Sequence, residues 1–387
     1  MNRIKVVHLI TKLELGGAQL NTVFTFENLN PEIFEVFLIT GDGGILNTEV
    51  EEFCKMNKNY SGKFIMIKDL VRSINPIKDI KALLNLRKEF KLIKPDIIHT
   101  HSSKAGILGR LAGSLAGVGV VIHSVHGFSF SSHQSFLRRS FFSFAEKIIS
   151  GLTTHFVFVS KNDIEVAEKK KLVKNKNYSL IRSGFPVKKF IDVSINKSAA
   201  RKKYNINNSM FVCGIIAPFK PQKGLFHLIK IASLVLKEDK DILFIIAGDG
   251  TLREKIEYEL EQEGISDNFR LPGFINDIDK MIPLFDIGLT TSLWEGLPQS
   301  LVQMRLNKKA VVASNIPGNN EIIINGENGY LIDIKDHKKF AEAILSLKSD
   351  IKLRKKLSFY NDNFAEWDGN FMVEAQEELY IELIKSR

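Results

Sequence analysis

Apolar runs rich in Val and Ile alternate along the chain with longer stretches of helical period. In the first half, Lys5–Leu9, Glu35–Ile39, Phe64–Met66, Ile97–Thr100, Val120–Ser124, His155–Val159 and Tyr178–Ile181 read as strands. Gln19–Asn28, Asp79–Glu89, Ala105–Ala116 and Phe136–Ile149 read as helices between them. The strand runs are near-continuous rather than strictly alternating, as expected where helices cover both faces of a parallel sheet. The rhythm pauses around residues 185–208, with Pro186, several lysines and the polar run Asn205–Asn208. It then restarts with strands at Met210–Ile216, Ile242–Ala247, Asn268–Leu271, Ile287–Thr290 and Ala310–Ala313. Helices are expected from Gly224 to Lys237, from Leu252 to Glu263 and from Gln299 to Leu306.

The pattern predicts an α/β protein of two doubly wound, Rossmann-like domains facing a cleft. The expected boundaries are 1–188 for the first domain, 189–208 for a linker and 209–365 for the second domain. Residues 366–387 form an amphipathic helix that either ends the second domain or packs back on the first. Ligands of such sheets bind outside the carboxyl ends of the strands, so chemistry is expected in the loops that follow strands.

The length of 387 residues suits two domains of roughly 150–200 each. No apolar run reaches the ~18–20 residues of a membrane-spanning helix, and the chain enters its first strand without a leader-like segment. A cytoplasmic protein is therefore expected. Two cysteines, Cys54 and Cys213, argue against a disulfide framework and against a zinc site. Charge is uneven: residues 1–200 hold 29 Lys and Arg against 17 acids, and residues 201–387 hold 25 against 27. A basic first half is either a Lys-rich solvated surface or a face for an anionic partner, such as the inner face of a plasma membrane or a phosphorylated acceptor. Nucleic acid is disfavoured, because the basic residues are dispersed and no aromatic platform interleaves them. Phe136–Phe144 mixes aromatics with Arg138 and Arg139; it reads as a core helix or a lipid contact.

Several loops after strands carry candidate chemistry. Gly16 and Gly17 open a helix after the first strand, where a backbone can approach an anion or simply turn tightly. His99-Thr100-His101-Ser102-Ser103-Lys104 ends a strand and leads into a helix bearing Arg110. His99 reads as a core residue, whereas His101, Ser103, Lys104 and Arg110 are site candidates. His126 follows a strand and precedes Gly127, placed to donate to a sugar hydroxyl or phosphate, or to act as a structural histidine. In the second half, Lys220 and Lys223 lie three residues apart in a Pro-stiffened loop, suited to a diphosphate. Gly248 belongs to a glycine-rich turn whose Asp249 either caps a helix or meets a ligand. Glu295 precedes Gly296, Leu297 and Pro298 and a helix start whose amides around Leu297–Leu301, including Ser300, are expected to be free for an oxygen ligand. Gln303 lies one turn further on.

Taken together, the runs LGGAQ (15–19), DIIHTHSSKAGILGRLAG (96–113), HSVHGFSF (123–130), FVSKND (158–163), IRSG (181–184), FKPQKG (219–224), AGDGTLR (247–253), LPGFINDI (271–278), WEGLPQSLVQ (294–303) and NGENGYLI (325–332) resemble the retaining glycosyltransferase family 4, which has the GT-B fold. The resemblance spans nearly the whole chain. It implies a nucleotide diphosphate-sugar donor on the C-terminal domain and an acceptor site shaped by the N-terminal domain. The first glutamate of the family's E-x7-E motif falls on Glu295, which then contacts the donor sugar. The second falls on Gln303, which accepts a ribose hydrogen bond without carrying charge. Lys223 matches the family's diphosphate lysine; its arginine position holds Pro218, with Lys220 nearby as a substitute. His126 matches the family histidine beside the donor's sugar and phosphate.

The implied reaction is front-face, retaining transfer of a hexose-type sugar, with a UDP-sugar the expected donor and a glycan or lipid-linked molecule the acceptor, in surface polysaccharide assembly. Lys220, Lys223, the helix start and the Gly16–Gly17 loop stabilise the leaving diphosphate, and no cofactor or metal is expected, since no D-x-D pair lies near the site. The alternatives are a sugar-nucleotide 2-epimerase and a non-catalytic nucleotide-sugar-binding scaffold.

Overall fold

The computed structural model describes residues 3–14, 16–60, 62–128, 136–174, 177–191 and 193–387, with the backbone alone for 136–139 and 141. Leu15, Ser129 and Phe130 of the quoted motifs, and the side chains of Phe136, Leu137, Arg138, Arg139 and Phe141, lie outside the described residues. The chain forms two compact units, Met1–Phe185 with Ala365–Arg387, and Pro186–Phe364.

The first unit runs β1 (Ile4–Leu9), α1 (Gly17–Asn28), β2 (Phe34–Thr40), α2 (Asn47–Met56), β3 (Phe64–Met66), α3 (Pro76–Ile93), β4 (Ile97–His101), α4 (Ser103–Ala116), β5 (Val120–Val125), α5 (Phe136–Ser150), β6 (His155–Phe158), α6 (Lys161–Lys169) and β7 (Tyr178–Leu180). The second runs α7 (Lys197–Lys203), β8 (Phe211–Ile216), α8 (Leu225–Glu238), β9 (Ile242–Ala247), α9 (Arg253–Gln262), β10 (Phe269–Gly273), α10 (Ile278–Met281), β11 (Ile287–Thr290), α11 (Gln299–Leu306), β12 (Ala310–Ser314), β13 (Gly329–Ile332), α12 (His337–Ser349) and α13 (Ile351–Ser358). The chain closes with α14 (Gly369–Lys385).

Both sheets are parallel, in the orders β3-β2-β1-β4-β5-β6-β7 and β10-β9-β8-β11-β12-β13. Central strands such as β9 and β12 are buried at every position, which is why their sequences show no alternation. The order reverses direction between β1 and β4 in one sheet and between β8 and β11 in the other. Such switch points open a crevice at the strands' carboxyl ends.

Residues 189–208 form part of the second unit rather than a free connection. Asn196 caps α7 by accepting from the Ala199 amide, and the Arg201 guanidinium donates to the Asn207 and Met210 carbonyls. Because α7 buries no side chain, its composition carries no apolar face to distinguish it from a linker. At the other end of the chain, α14 contributes Met372, Val373, Leu379 and Tyr380 to the core that holds Val6, Phe34 and Ile97 of the first unit. No helix among the described residues is long and apolar enough to cross a membrane.

Candidate active site

In the second unit the loops after β8 and β11 meet at the switch point. Glu295 is held there from three sides. Lys223 Nζ lies 2.5 Å from its Oε1, the Ser292 hydroxyl donates to the same oxygen at 2.6 Å, and Gln222 Nε2 donates to Oε2 at 3.1 Å. Gln222 also donates to the Trp294 carbonyl, and its own backbone carbonyl accepts from the Leu293 amide. A carboxylate offers about four acceptor sites; the described residues take three of them, two on Oε1 and one on Oε2. Close approach of the two loops needs glycine at Gly224, where φ is 59° and a Cβ would sit 2.1 Å from the Thr291 carbonyl oxygen. Gly248 serves the neighbouring turn likewise, with φ 151° and the Ala217 carbonyl in the place of a Cβ.

The helix start expected after Pro298 begins at Gln299, and Pro298 at the N-cap position offers no capping side chain. One expectation changes here. The Leu301 side chain is buried and its amide donates to the Pro298 carbonyl at 3.0 Å, closing the first turn on itself, so that amide is not open to a ligand. Gly296, Leu297 and Ser300 are partly exposed on the approach to this turn, and Gln303 is half-buried one turn further along. Lys220 is exposed, whereas Lys223 is half-buried and paired with Glu295. The Asp249 carboxylate accepts from the Gly250 amide and pairs with Arg253 rather than capping α9, which starts after Leu252.

In the first unit, β1, β4 and β5 bring four imidazoles into a chain of contacts. His8 Nδ1 lies 3.1 Å from His101 Nε2, and His101 Nδ1 lies 3.3 Å from His126 Nε2. His99 sits behind them, held by the Tyr380 hydroxyl at 2.5 Å and the Ser124 hydroxyl at 2.7 Å. Burial lowers the His126 pKa to about 4 and that of His8 to about 3, and it pushes His99 and His101 well down, so the layer is neutral at ordinary pH. The Nδ1 of His126 and the Nε2 of His8 are buried with no hydrogen-bond partner among the described residues. These are the two ends of the row. If His126 Nδ1 carries a proton toward a ligand oxygen, its Nε2 accepts from His101, whose Nε2 accepts from His8. His126 lines a hollow with Ser103, Ser102 and Gly127, and a second one with His101, Arg182 and Gln376.

His101 is therefore placed behind His126 rather than beside an acceptor, and it is only 3% exposed. Arg110 is fully buried, in a two-point ion pair with Glu146 (2.7 and 2.9 Å) and bonds to the Thr153 hydroxyl and Gly106 carbonyl, so it braces α4 against α5 instead of facing a ligand. Lys104 is engaged by Asp79 at 2.5 Å and by the Ser73 carbonyl. Among these four candidates, Ser103 lines the first of the two hollows and His101 the second. Gly16 and Gly17 stand at the start of α1, which no side chain caps. Arg182, marked in the sequence only by its place in the IRSG run, is buried, donates to the Val159 carbonyl and stacks on Trp367 beside the second hollow. Its signal is weak because an arginine on a strand end ordinarily reads as surface. The His8, His99 and His101 nitrogens lie within 4.8 Å of one another, a spacing that a metal ion can use. Both nitrogens of His99 are already engaged by hydroxyls, which favours a hydrogen-bonded layer over a metal centre.

The family model described as Glycosyl transferases group 1 matches residues 196–364, and that described as Glycosyltransferase Family 4 matches residues 32–189. A UDP-Gal:alpha-D-GlcNAc-diphosphoundecaprenol alpha-1,3-galactosyltransferase of Escherichia coli is 31% identical over 353 residues, covering 90% of this chain and 89% of that protein. The chain belongs to retaining glycosyltransferase family 4. It is a glycosyltransferase that draws on a nucleotide-sugar donor, and its fold is GT-B. The capsular polysaccharide biosynthesis glycosyltransferase CapM of Staphylococcus aureus is 21% identical over 399 residues, covering 100% of this chain and 99% of that protein. The crystal structure of HepE from Anabaena, in complex with UDP and glucose, matches with a TM-score of 0.82 at 16% identity, covering 98% of this chain and 100% of that one.

Proposed function

We propose that this glycosyltransferase moves a hexose-type sugar, galactose or a close relative, from a UDP-sugar to a lipid-linked diphosphate acceptor in surface polysaccharide assembly. The observation that carries the reading is the Glu295 carboxylate, fixed at the switch point by Lys223, Ser292 and Gln222. The galactosyltransferase relative, named for UDP-Gal and a diphosphoundecaprenol acceptor, supports the substrate classes, and CapM supports the pathway.

In this reading Glu295 accepts from hydroxyls of the donor sugar. Arrival of the diphosphate draws Lys223 toward it, so the lysine exchanges one anion for another and costs no fresh desolvation. The start of α11, where Pro298 offers no capping side chain, adds its helix dipole on the phosphate side. His126 donates from Nδ1 to the sugar or phosphate, oriented by His101. The acceptor hydroxyl attacks the face that the diphosphate leaves, with a phosphate oxygen taking its proton, which retains configuration. Charge is stabilised by fixed lysine and dipoles, so the reaction is expected to run without a metal. Thermal shift with UDP-, GDP- and ADP-sugars tests the donor: a UDP-sugar is expected to stabilise the wild type and to stabilise Glu295→Ala less. A larger shift with a GDP- or ADP-sugar would replace the donor. Transfer to a diphosphate-lipid acceptor after chelation with EDTA tests the rest, and activity that returns only with Mg²⁺ or Mn²⁺ would refute metal independence.

A further inference from the structure

The loop that follows β12 reaches Glu295 through two contacts of different kinds. The first is a close approach of backbones. A Cβ at Gly318 would sit 2.5 Å from the Gly296 carbonyl oxygen and 3.3 Å from that of Glu295. No side chain fits there, so the loop rests directly on the peptide units that carry the Glu295 carboxylate.

The second is a chain of directed hydrogen bonds. Asn319 Nδ2 donates to the Ser314 carbonyl at 2.8 Å and to the Ser314 hydroxyl at 3.2 Å. The Ser314 hydroxyl has one proton to give, and it goes to the Ser292 carbonyl at 2.6 Å. The Ser292 hydroxyl gives its own proton to Glu295 Oε1 at 2.6 Å. Ser292, Ser314 and Asn319 are all buried, where water does not compete and each bond orders the next. Asn319 is kept there at a cost. Its Oδ1 is buried with no hydrogen-bond partner among the described residues. Buried polar groups are nearly always paired, and an apolar side chain in this place would avoid the penalty. The amide is therefore accounted for by what its nitrogen holds, and not by packing.

We propose that Ser314, Gly318 and Asn319 are positioning residues for the transfer reaction. They set the Glu295 carboxylate by fixing the Ser292 carbonyl and the Gly296 peptide, and they act through those groups rather than on a substrate. The loops after β8 and β11 supply the direct partners of Glu295, and the loop after β12 holds the β11 loop in place. The inference deepens the reading of Glu295 as the donor-sugar contact and rests on it. It also separates two parts of the donor: the β12 loop governs how the sugar is met and leaves the nucleotide alone.

A double-mutant cycle on the whole protein tests this. Ser314→Ala, Asn319→Leu and Gly318→Ala are each measured alone and combined with Glu295→Ala. Each single variant is expected to lower kcat for transfer from the UDP-sugar at least ~10-fold, the effect of a small misplacement of a catalytic group. In the Glu295→Ala background each is expected to cost less than ~2-fold, because the group they position is gone. UDP, which has no sugar for Glu295 to meet, is expected to bind the single variants as tightly as it binds the wild type. Ser314→Thr keeps the hydroxyl and is expected to recover most of the rate lost in Ser314→Ala. A role in stability alone would lower the rate by the same factor in both backgrounds and weaken UDP binding with it, and either result overturns the proposal. So does a wild-type kcat in Ser314→Ala, the mildest of the three changes, which carries the cycle if the other variants do not fold. A wild-type rate in Glu295→Ala itself removes the donor-sugar reading, whereas equal losses beside a slow Glu295→Ala remove the positioning loop alone.

Discussion

Glu295 and Arg110 are both paired acid–base residues, and the consequences of breaking each pair differ. Glu295 and Lys223 keep part of their surface in contact with solvent, with side chains 7% and 15% exposed, in a crevice made for ligands. On the proposed reading, removing Glu295 takes away a contact to the donor sugar, and it releases Lys223. Loss of one preorganised hydrogen-bonding group at a transition state typically costs about 10²–10³ in rate. Glu295→Gln is expected to lose about that factor in kcat while staying folded, because the glutamine oxygen still accepts from Ser292. A wild-type rate for Glu295→Gln in a transfer assay would remove the residue from the mechanism. Arg110 has no such access. Arg110→Met leaves Glu146 buried and unpaired, a change expected to cost about 3–5 kcal/mol in urea unfolding. Arg110→Met combined with Glu146→Leu is expected to recover most of that, since an apolar pair of similar volume is often neutral. A loss below about 1 kcal/mol in the single variant would show that the pair is not structurally needed.

At the scale of elements, most of the parallel strands are legible as runs rich in apolar residues; β3, β9 and β11 fall on the residues the pattern marks. β13 is not, since Gly329–Ile332 is only four residues long and begins with glycine, and the pattern marks no strand there. Loop glycines and Glu295 stood out as sequence, but Gln222 and Ser292 did not, because nothing in a linear pattern shows that the loops after β8 and β11 touch. The imidazole layer across β1, β4 and β5 was visible as single histidines and not as a layer, since parallel register sets His8 beside His99 and Thr100 beside His123. That layer makes a stability prediction. Burial depresses His126 to about 4 and His8 to about 3, from an ordinary value near 6.5. Below pH ~6.5 the unfolded chain binds protons that the folded chain does not, so stability present at neutral pH is lost as pH falls toward ~4. Each fully depressed imidazole contributes a slope of up to about 1.4 kcal/mol per pH unit in that window. Urea midpoints are expected to fall steadily from about pH 7 to about pH 5, and His8→Asn is expected to flatten the fall. Midpoints that stay level across that range would contradict the buried, neutral layer.

For the whole molecule, the chain path is asymmetric. The second unit is one continuous segment, Pro186–Phe364, while the first is closed by a segment from the far end of the chain, Ala365–Arg387. The second unit holds its own core and its own buried ion pair, Arg305 with Asp362 at 2.7 Å. Glu295, Lys223 and Gln222 all lie within it. A fragment spanning 186–364 is therefore expected to fold cooperatively and to retain donor binding. A fragment spanning 1–185 lacks α14, and with it Met372, Val373, Leu379 and Tyr380 from its core. Each such side chain contributes about 1.5–3 kcal/mol on full burial, so the four together approach the ~5–15 kcal/mol stability of a typical domain. Loss of Tyr380 also removes a hydrogen-bond partner from His99, leaving a buried ring nitrogen unsatisfied. The 1–185 fragment is expected to be unfolded or aggregated, and adding a peptide of residues 365–387 is expected to restore helical circular dichroism and a melting transition. If 1–185 melts cooperatively by itself, α14 is an accessory of the first unit and not a part of its core.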